Sequence, residues 1–406
     1  MRQRPAKRPI PHPPQASTRS AALKFVVLVG VMSFFADFTY EGSRSIIGPY
    51  LGIFGAGALA IGVVTGLGEL LGYGLRLVSG GLADRTRQFW PITIAGYILQ
   101  MSVVPLLALA GSWPVAAILI VLERVGKATR NPPRDVMLSH AAREIGYGRA
   151  FGLHEALDQF GALFGPLAVA GILAMRRGGY REAFAALAIP AAVMLGILFV
   201  ARLLYPRPQD LESSPPDVHA QGLSRVFWLY LAGAGLVATG FADFPLIAFH
   251  FQRSATVSAE WTPIFYAVAM GVSGAGSLLL GRVYDRIGIG ILVPLTVLSA
   301  AFAPLVFLGG FRWALVGVSV WGLGMGVHES IIPAAVALMV PLERRASAYG
   351  LFTAGYGVFW FLGSAAIGGL YTVSIHAAVW FSVLAELAAV PLLVLVTRRF
   401  RAARPA

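Results

Sequence analysis

The sequence of 406 residues contains no cysteine, so it has no disulfides, no thiolate metal sites and no cysteine nucleophile. Charged residues are scarce as well: Asp, Glu, Lys and Arg make up 13% of the chain, about half the share found in soluble domains. Hydrophobic residues make up 57%, and the mean hydropathy is +0.72. These proportions indicate an integral membrane protein.

Two kinds of catalytic motif are also missing. The sequence has no nucleotide-binding loop, which excludes ATP as a direct energy source. The pairs His154–Glu155 and His328–Glu329 both lack the second His of an HExxH zinc motif. We therefore expect no cofactor, no resident metal and no enzymatic activity.

Twelve segments are apolar and long enough to cross a bilayer, for which about 20 residues suffice. We predict an all-α integral membrane protein with spans at 24–51, 57–81, 90–110, 114–140, 149–175, 181–204, 225–251, 261–283, 288–309, 313–340, 347–373 and 376–397.

Basic residues predict the orientation of these spans. Of the 32 Lys and Arg residues, 21 lie on the side of the N-terminus and five lie in the opposite loops. Positive charge gathers on the cytoplasmic side of membrane proteins, so both termini are predicted to be cytoplasmic, in a cell membrane. The formal net charge of +13 is then a topology signal, and no nucleic-acid partner is expected.

Composition divides the chain into five segments. We predict a disordered, basic, Pro-rich arm at 1–21 and a first six-helix bundle at 22–205. A cytoplasmic linker follows at 206–222, which contains the sequence PRPQDLESSPPDVHAQ. The second six-helix bundle then covers 223–398, and a basic tail covers 399–406.

The two bundles repeat one another in sequence. FADF occurs at 35–38 and again at 241–244, at the same place in the first helix of each half. GGLADR at 80–85 has a counterpart in GRVYDR at 281–286, and Gly126 and Pro133 match Gly326 and Pro333. An ordered series at a spacing near half the chain length predicts two homologous bundles related by pseudo-twofold symmetry.

These motifs resemble those of the major facilitator superfamily of secondary transporters, over about residues 22–400. GGLADRTRQFWP is similar to the loop between the second and third helices, although Thr86 stands near the second glycine of that pattern. LERVGKA, with Arg124 and Gly126, is similar to the fourth-helix motif. GALFGPLAVAG resembles the fifth-helix motif of drug/proton antiporters in part, through Gly161, Gly165, Pro166 and Gly171.

The resemblance implies a fold, an activity and a set of roles. It implies alternating access for a small solute, with helices 1, 4, 7 and 10 lining a central cavity. It also implies a conformational latch at the cytoplasmic face, in which Asp84 faces a helix N-terminus of the other half and Arg85 or Arg87 pairs with Asp135. The predicted latch residues are Gly80, Asp84, Arg85, Arg87, Asp135, Asp285 and Arg286.

Ionisable residues within spans are costly in a membrane and are therefore candidates for function. Those that we predict to serve proton coupling in the cavity are Asp37, Glu41, Arg124, Lys127, Asp243, His328 and Glu329. Possible substrate contacts are His154, Asp158, Tyr356 and Trp360. A carboxylate that moves between a dry and an ion-paired environment binds and releases protons, and Asp37 and Glu41 opposite Arg124 and Lys127 fit that description.

Simpler interpretations stay open for several of these groups. Arg44 and His250 near the outer interface, and Arg130 and Arg134 near the inner one, could reach water by snorkelling. Glu386 and a Glu69–Arg76 pair could be structural, and Tyr356 and Trp360 could be packing residues.

For the whole chain the leading hypothesis is a monomeric, proton-coupled transporter, with efflux of a small organic solute by antiport as its favoured form. A divalent metal ion exporter on the same fold is the alternative. A sensor or an intramembrane enzyme is a third.

Overall fold

The computed structural model describes residues 15–206, 224–339 and 345–402, and all regular secondary structure in these ranges is helical. The predicted arm lies outside the described residues up to position 14; the chain is already helical from Gln15, seven residues before the predicted start of the first bundle. The predicted linker lies outside them apart from Pro206, and so do the last four residues of the predicted tail.

The helices of the N-terminal half begin and end as follows: α1 Gln15–Arg44, α2 Ile47–Ile53, α3 Ala58–Thr86, α4 Phe89–Leu106, α5 Trp113–Ile145, α6 Tyr147–Met175, α7 Tyr180–Ala186 and α8 Ala188–Leu204. Those of the C-terminal half are α9 Arg225–Gly240, α10 Phe244–Ser254, α11 Trp261–Ile287, α12 Leu292–Ser299, α13 Phe302–Phe307, α14 Phe311–Gly326, α15 Ile332–Met339, α16 Arg345–Val373 and α17 Ile375–Ala402.

Eleven helical segments among the described residues are long and apolar enough to cross a membrane, so this is a multi-pass membrane protein. The long helix α5 is not one of the eleven, because Glu123, Arg124, Lys127 and Arg130 interrupt its apolar part. It nevertheless packs between α3 and α4 along the bundle.

The two copies of FADF have different local structures. The first copy lies inside the continuous helix α1. In the second copy, the chain leaves the helix after Gly240 and Asp243 immediately precedes α10. The physical reason is Pro245, which lacks an N–H group and is tolerated only in the first turn of a helix. Thr39 stands at the corresponding place after the first copy.

A second irregularity lies between α14 and α15. Residues Val327–Ile331 form a π-helical turn that carries His328 and Glu329. Such turns are rare, and they occur often at functional sites because the extra residue redirects neighbouring side chains.

The two halves pack together along α3 with α16, α6 with α11, and α2 with α10. At the α2–α10 contact the two backbones lie close together: a Cβ atom on Gly48 would overlap the Pro245 carbonyl oxygen and would lie 2.7 Å from the Pro245 carbonyl carbon. Gly62 and Gly66 allow a similar approach of α3 to Ser364 on α16. The end of the molecule that carries α2 and α10 is therefore closed.

Candidate functional site

A buried network of ion pairs joins the two halves next to the closed end. Arg44 at the end of α1 places Nη2 3.2 Å from Oδ1 of Asp243, across the interface, and 3.3 Å from Oε1 of Glu69 on α3. Arg124 on α5 contacts the same Glu69 oxygen at 2.9 Å. Ser364 on α16 also donates to Asp243, at 3.4 Å. We call Arg44, Glu69, Arg124 and Asp243 the inter-half network.

Burial strengthens the dependence of the charged groups in this network on one another. Its four side chains are between 1% and 10% exposed. In such an environment the ionic groups depend on one another, because removal of one partner leaves an uncompensated charge that costs about 3–5 kcal/mol. Separation of the halves at this end requires the Arg44–Asp243 contact to break or to gain water.

A second polar contact crosses the interface one turn before Arg44. Tyr266 on α11 donates its hydroxyl hydrogen to Oε2 of Glu41 at 2.5 Å. The Tyr266 ring lies against Phe244, with ring centres 4.2 Å apart, and Trp321 closes the cluster at 6.1 Å. Glu41 is thus fixed to the C-terminal half, whereas the sequence suggested Arg124 and Lys127 as its partners.

Asp37 has a basic partner within its own half. Its Oδ1 lies 3.6 Å from Nη2 of Arg130 on α5. Arg130 is 1% exposed and also donates to Gln100 at 2.5 Å and to Tyr97 at 3.0 Å. The expectation that Arg130 snorkels to the inner interface is therefore wrong. The cation facing Asp37 is Arg130, since Arg124 is engaged by Glu69.

Acidic groups of both halves lie within electrostatic range of one another. Glu329 in the π-helical turn and Glu155 on α6 have exposed side chains. Glu329 lies within electrostatic range of Glu41, Glu155 and Lys127, and Asp158 lies within range of Glu155 and Lys127. The Lys127 ammonium group sits 3.7 Å above the ring of Tyr40. We call the region that holds Glu41, Lys127, Glu155, Asp158 and Glu329 the central cavity.

An aromatic cluster lies behind the π-helical turn. His328 is buried, and its Nδ1 is hydrogen-bonded to the Tyr356 hydroxyl. The rings of Phe241 and Trp360 lie 4.4 and 5.3 Å from the His328 ring. Tyr356 and Trp360 are 3% and 0% exposed, so in this conformation they are packing residues.

Similarity to known proteins identifies the family of this chain. A model of the Major Facilitator Superfamily matches residues 26–364. The chain belongs to the major facilitator superfamily. The transporter is 43% identical over 381 residues to an uncharacterized protein of Mycobacterium tuberculosis (strain ATCC 25618 / H37Rv), which covers 92% of this chain and 93% of that protein. It is also 29% identical over 147 residues to the multidrug resistance protein MdtH of Edwardsiella ictaluri, over 36% and 35% of the two chains.

Solved structures share its fold. The peptide transporter POT in complex with sulfate superposes with a TM-score of 0.74 at 14% identity, over 93% of this chain and 95% of that chain. The nucleoside transporter NupG gives 0.69 at 13% identity, over 93% and 98%. The predicted superfamily is confirmed, and at these identities the two structures bear on the fold alone.

The latch residues are only partly within the described side chains. The side chains of Asp84 and Asp285 lie outside them. Gly80 brings α3 close to Pro132 of α5, at 3.4 Å from a Cβ atom built on it. Arg85 and Arg87 are exposed, as is Arg286. Asp135 contacts Arg134 at 2.7 Å, so in this conformation it is not paired with Arg85 or Arg87 as the sequence suggested.

The predicted helix-packing motif on α6 has two close contacts. A Cβ atom on Gly161 or Gly165 would lie 2.9 Å from the carbonyl carbon of Phe34 or Phe38 on α1. Gly171 has no heavy atom within 4 Å of its Cβ position among the described residues, and Pro166 lies inside the helix. The transporter thus joins α1 and α6 through two of the four residues.

Three further expectations are corrected by the contacts. Arg44 is 3% exposed and ion-paired, so it does not snorkel at the outer interface. Glu69 contacts Arg44 and Arg124, and no ion pair to Arg76 is formed among the described side chains. His154, a predicted substrate contact, is buried and is hydrogen-bonded through Nε2 to Ser33 at 2.7 Å.

From the sequence, Glu69 was expected only in a structural pair with Arg76, and Tyr266 had no assigned role. Glu69 offered a signal, as an acid in the middle of a span, whereas a lone Tyr such as Tyr266 offered none. For the metal hypothesis, the described residues contain no group of three or more His, Asp or Glu side chains that could hold a metal ion.

Proposed function

We propose that this superfamily member is a proton-coupled transporter of a small organic solute that works by alternating access. The observation that carries the proposal is the central cavity, where acidic groups of both halves meet beside one lysine. Carboxylates placed between two moving halves change their surroundings when the halves rock, and protonation is then linked to the conformation.

The proposal includes a topology. We take α5 as the twelfth crossing, because it runs the length of the N-terminal bundle and its charges face α1, α3 and α4. Both termini are then cytoplasmic, in a cell membrane, and the closed end with α2 and α10 faces outward. The conformation described here is accordingly inward-facing.

Three carboxylates have distinct parts in the proposed cycle. Asp37 exchanges its contact with Arg130 for a proton. Glu41 is held by Tyr266 across the interface, and this hydrogen bond is lost when the outer end opens. Glu329 is exposed to the cavity and is the acid of the C-terminal half that can meet a solute.

We propose export as the direction. The support is the partial fifth-helix motif of Gly161, Gly165 and Pro166, together with the similarity over about a third of the chain to a protein named for multidrug resistance. The metal exporter gains no support from the described residues.

The test begins with a thermal-shift screen of small organic solutes on purified protein, because a ligand that binds the folded state raises the melting temperature. A solute found in this way is then given to proteoliposomes with an imposed pH gradient. Wild type should accumulate it in response to the gradient, Asp37→Asn should not, and Glu182→Gln on the exposed surface should behave as wild type. Gradient-driven accumulation by Asp37→Asn at the wild-type rate would remove Asp37 from the mechanism.

A further inference from the structure

A carboxyl group that the proposed cycle does not use is buried in the C-terminal half. Glu386 on α17 is 0% exposed, and neither of its carboxyl oxygens has a hydrogen bond of standard geometry to any described residue. No ion pair to it is formed among the described side chains. An ionised carboxylate without a partner is very costly in such surroundings.

The position of Glu386 links it to the break between α9 and α10. A Cβ atom on Gly240, the last residue of α9, would lie 2.7 Å from Cγ of Glu386. Ser382, one turn earlier on α17, donates to the Gly240 carbonyl oxygen at 2.5 Å. Three residues beyond Gly240 comes Asp243, which binds Arg44 in the inter-half network. Movement of this break therefore changes both the surroundings of Glu386 and the closed end.

A short polar path leads from Glu386 to His328. Its polar neighbour is Ser299 of α12, whose hydroxyl is likewise without a hydrogen bond among the described residues. Ser299 and His328 line a common cavity of about 20 Å³, enough for one water molecule, which needs roughly 10–15 Å³. His328 Nε2 has no described partner, and its Nδ1 is bonded to Tyr356.

The other titratable groups near Glu386 are few. Tyr356 on α16 is within electrostatic range, and His328 lies across the small cavity from Ser299. The residues that α9 and α12 place near Glu386 are Gly240, Thr296 and Ser299, none of which is an acid or a base. Asp243 and its partner Arg44 lie beyond the α9–α10 break. No basic side chain among the described residues neutralises Glu386 directly.

We propose that Glu386 is a second proton-binding site of the transporter, which holds a proton in the inward-facing conformation and passes it through Ser299 and a water molecule to His328 when the α9–α10 break rearranges. The carboxyl O–H group gives its proton to the water molecule, and the water molecule gives a proton to Nε2 of His328. The products are a carboxylate on Glu386 and an imidazolium on His328, which keeps its hydrogen bond to Tyr356. The release step rests on the proposed proton coupling, whereas the occupancy of Glu386 by a proton does not.

Occupancy is tested by infrared difference spectroscopy on the purified, full-length protein at neutral pH. The wild-type spectrum minus that of Glu386→Gln should show a protonated-carboxyl C=O band. Wild type minus Glu182→Gln, at an exposed acid paired with Arg176, should show only carboxylate bands. Carboxylate bands in the Glu386→Gln difference would overturn the inference. Glu386→Gln puts a neutral amide of the same shape in place of a neutral acid, so its failure to fold would also count against it.

Two further measurements separate this inference from the proposed function. Ser299→Ala should shift the frequency of the Glu386 band, and an unshifted band would contradict the path through Ser299. In proteoliposomes, Glu386→Gln should carry solute down its gradient with fewer protons per solute than wild type. If Glu386 is ionised and transport is nevertheless coupled to protons, only this inference is wrong. If Glu386 is protonated and the protein moves solute without protons, the proposed function is wrong.

Discussion

The substitution Gly48→Ala tests whether the α2–α10 contact holds the outer end closed. The new methyl group would overlap the Pro245 carbonyl oxygen, which is its nearest neighbour. It would also lie 2.7 Å from the Pro245 carbonyl carbon and 3.0 Å from the Phe249 amide nitrogen, where ordinary contact begins at 3.4 Å. The backbones must therefore separate by at least several tenths of an ångström. Overpacking of this kind costs about 1–3 kcal/mol.

The cost applies only to the conformation in which α2 and α10 are in contact. Alanine is itself a better helix former than glycine, so α2 is not weakened. The whole overpacking free energy therefore shifts the equilibrium toward the open conformation. For about 1–3 kcal/mol, the ratio of outward-open to outward-closed molecules should rise roughly 5- to 150-fold.

The lack of cysteine makes the assay direct. Ser45→Cys introduces a single thiol at a position that is 0% exposed beside Arg44, and its labelling by a membrane-impermeant maleimide reports opening of the outer end. We expect faster labelling when Gly48→Ala is added. The control is Gly57→Ala, which has no heavy atom within 4 Å of its Cβ position among the described residues. Equal labelling rates in the two variants would refute the reasoning.

Three further predictions use the same or similar measurements. Asp243→Asn should accelerate labelling of Ser45→Cys, because Arg44 loses a buried partner at a cost of about 3–5 kcal/mol, and an unchanged rate would show that the inter-half network does not hold the halves together. Tyr266→Phe should accelerate it less, since one hydrogen bond to a charged group is worth about 1.5–3 kcal/mol; a larger effect than that of Asp243→Asn would reverse their ranking. Gly161→Ala should lower the melting temperature of the purified protein by forcing α6 away from Phe34, whereas Gly171→Ala should leave it unchanged; equal melting temperatures would contradict the close contact of α1 with α6.

The charged residues that the sequence predicts deep within the spans largely form the site, but their ion-pair and hydrogen-bond partners differ from those expected. Asp37, Glu41, Arg124 and Asp243 all take part in polar contacts between or within the halves. The pairing could not be read from helix periodicity, because i, i+4 and i+7 spacing fixes which face of a helix a residue lies on and leaves open which neighbour it meets. Tyr266 shows the limit most clearly, since only the packing of α11 against the other half brings its hydroxyl to Glu41.

The sequence by itself determined the membrane class, the helical fold and the superfamily, because these follow from apolar segment length and from short motifs that act locally. It also contains the two copies of FADF, from which we predicted two homologous bundles. Only the tertiary structure decided that one copy is helical and the other is a break, that Arg44 reaches Asp243 across the interface, and that Glu386 is buried without a partner among the described residues. These features depend on contacts between residues up to about 200 positions apart, where packing and dielectric, rather than local propensity, set the energy.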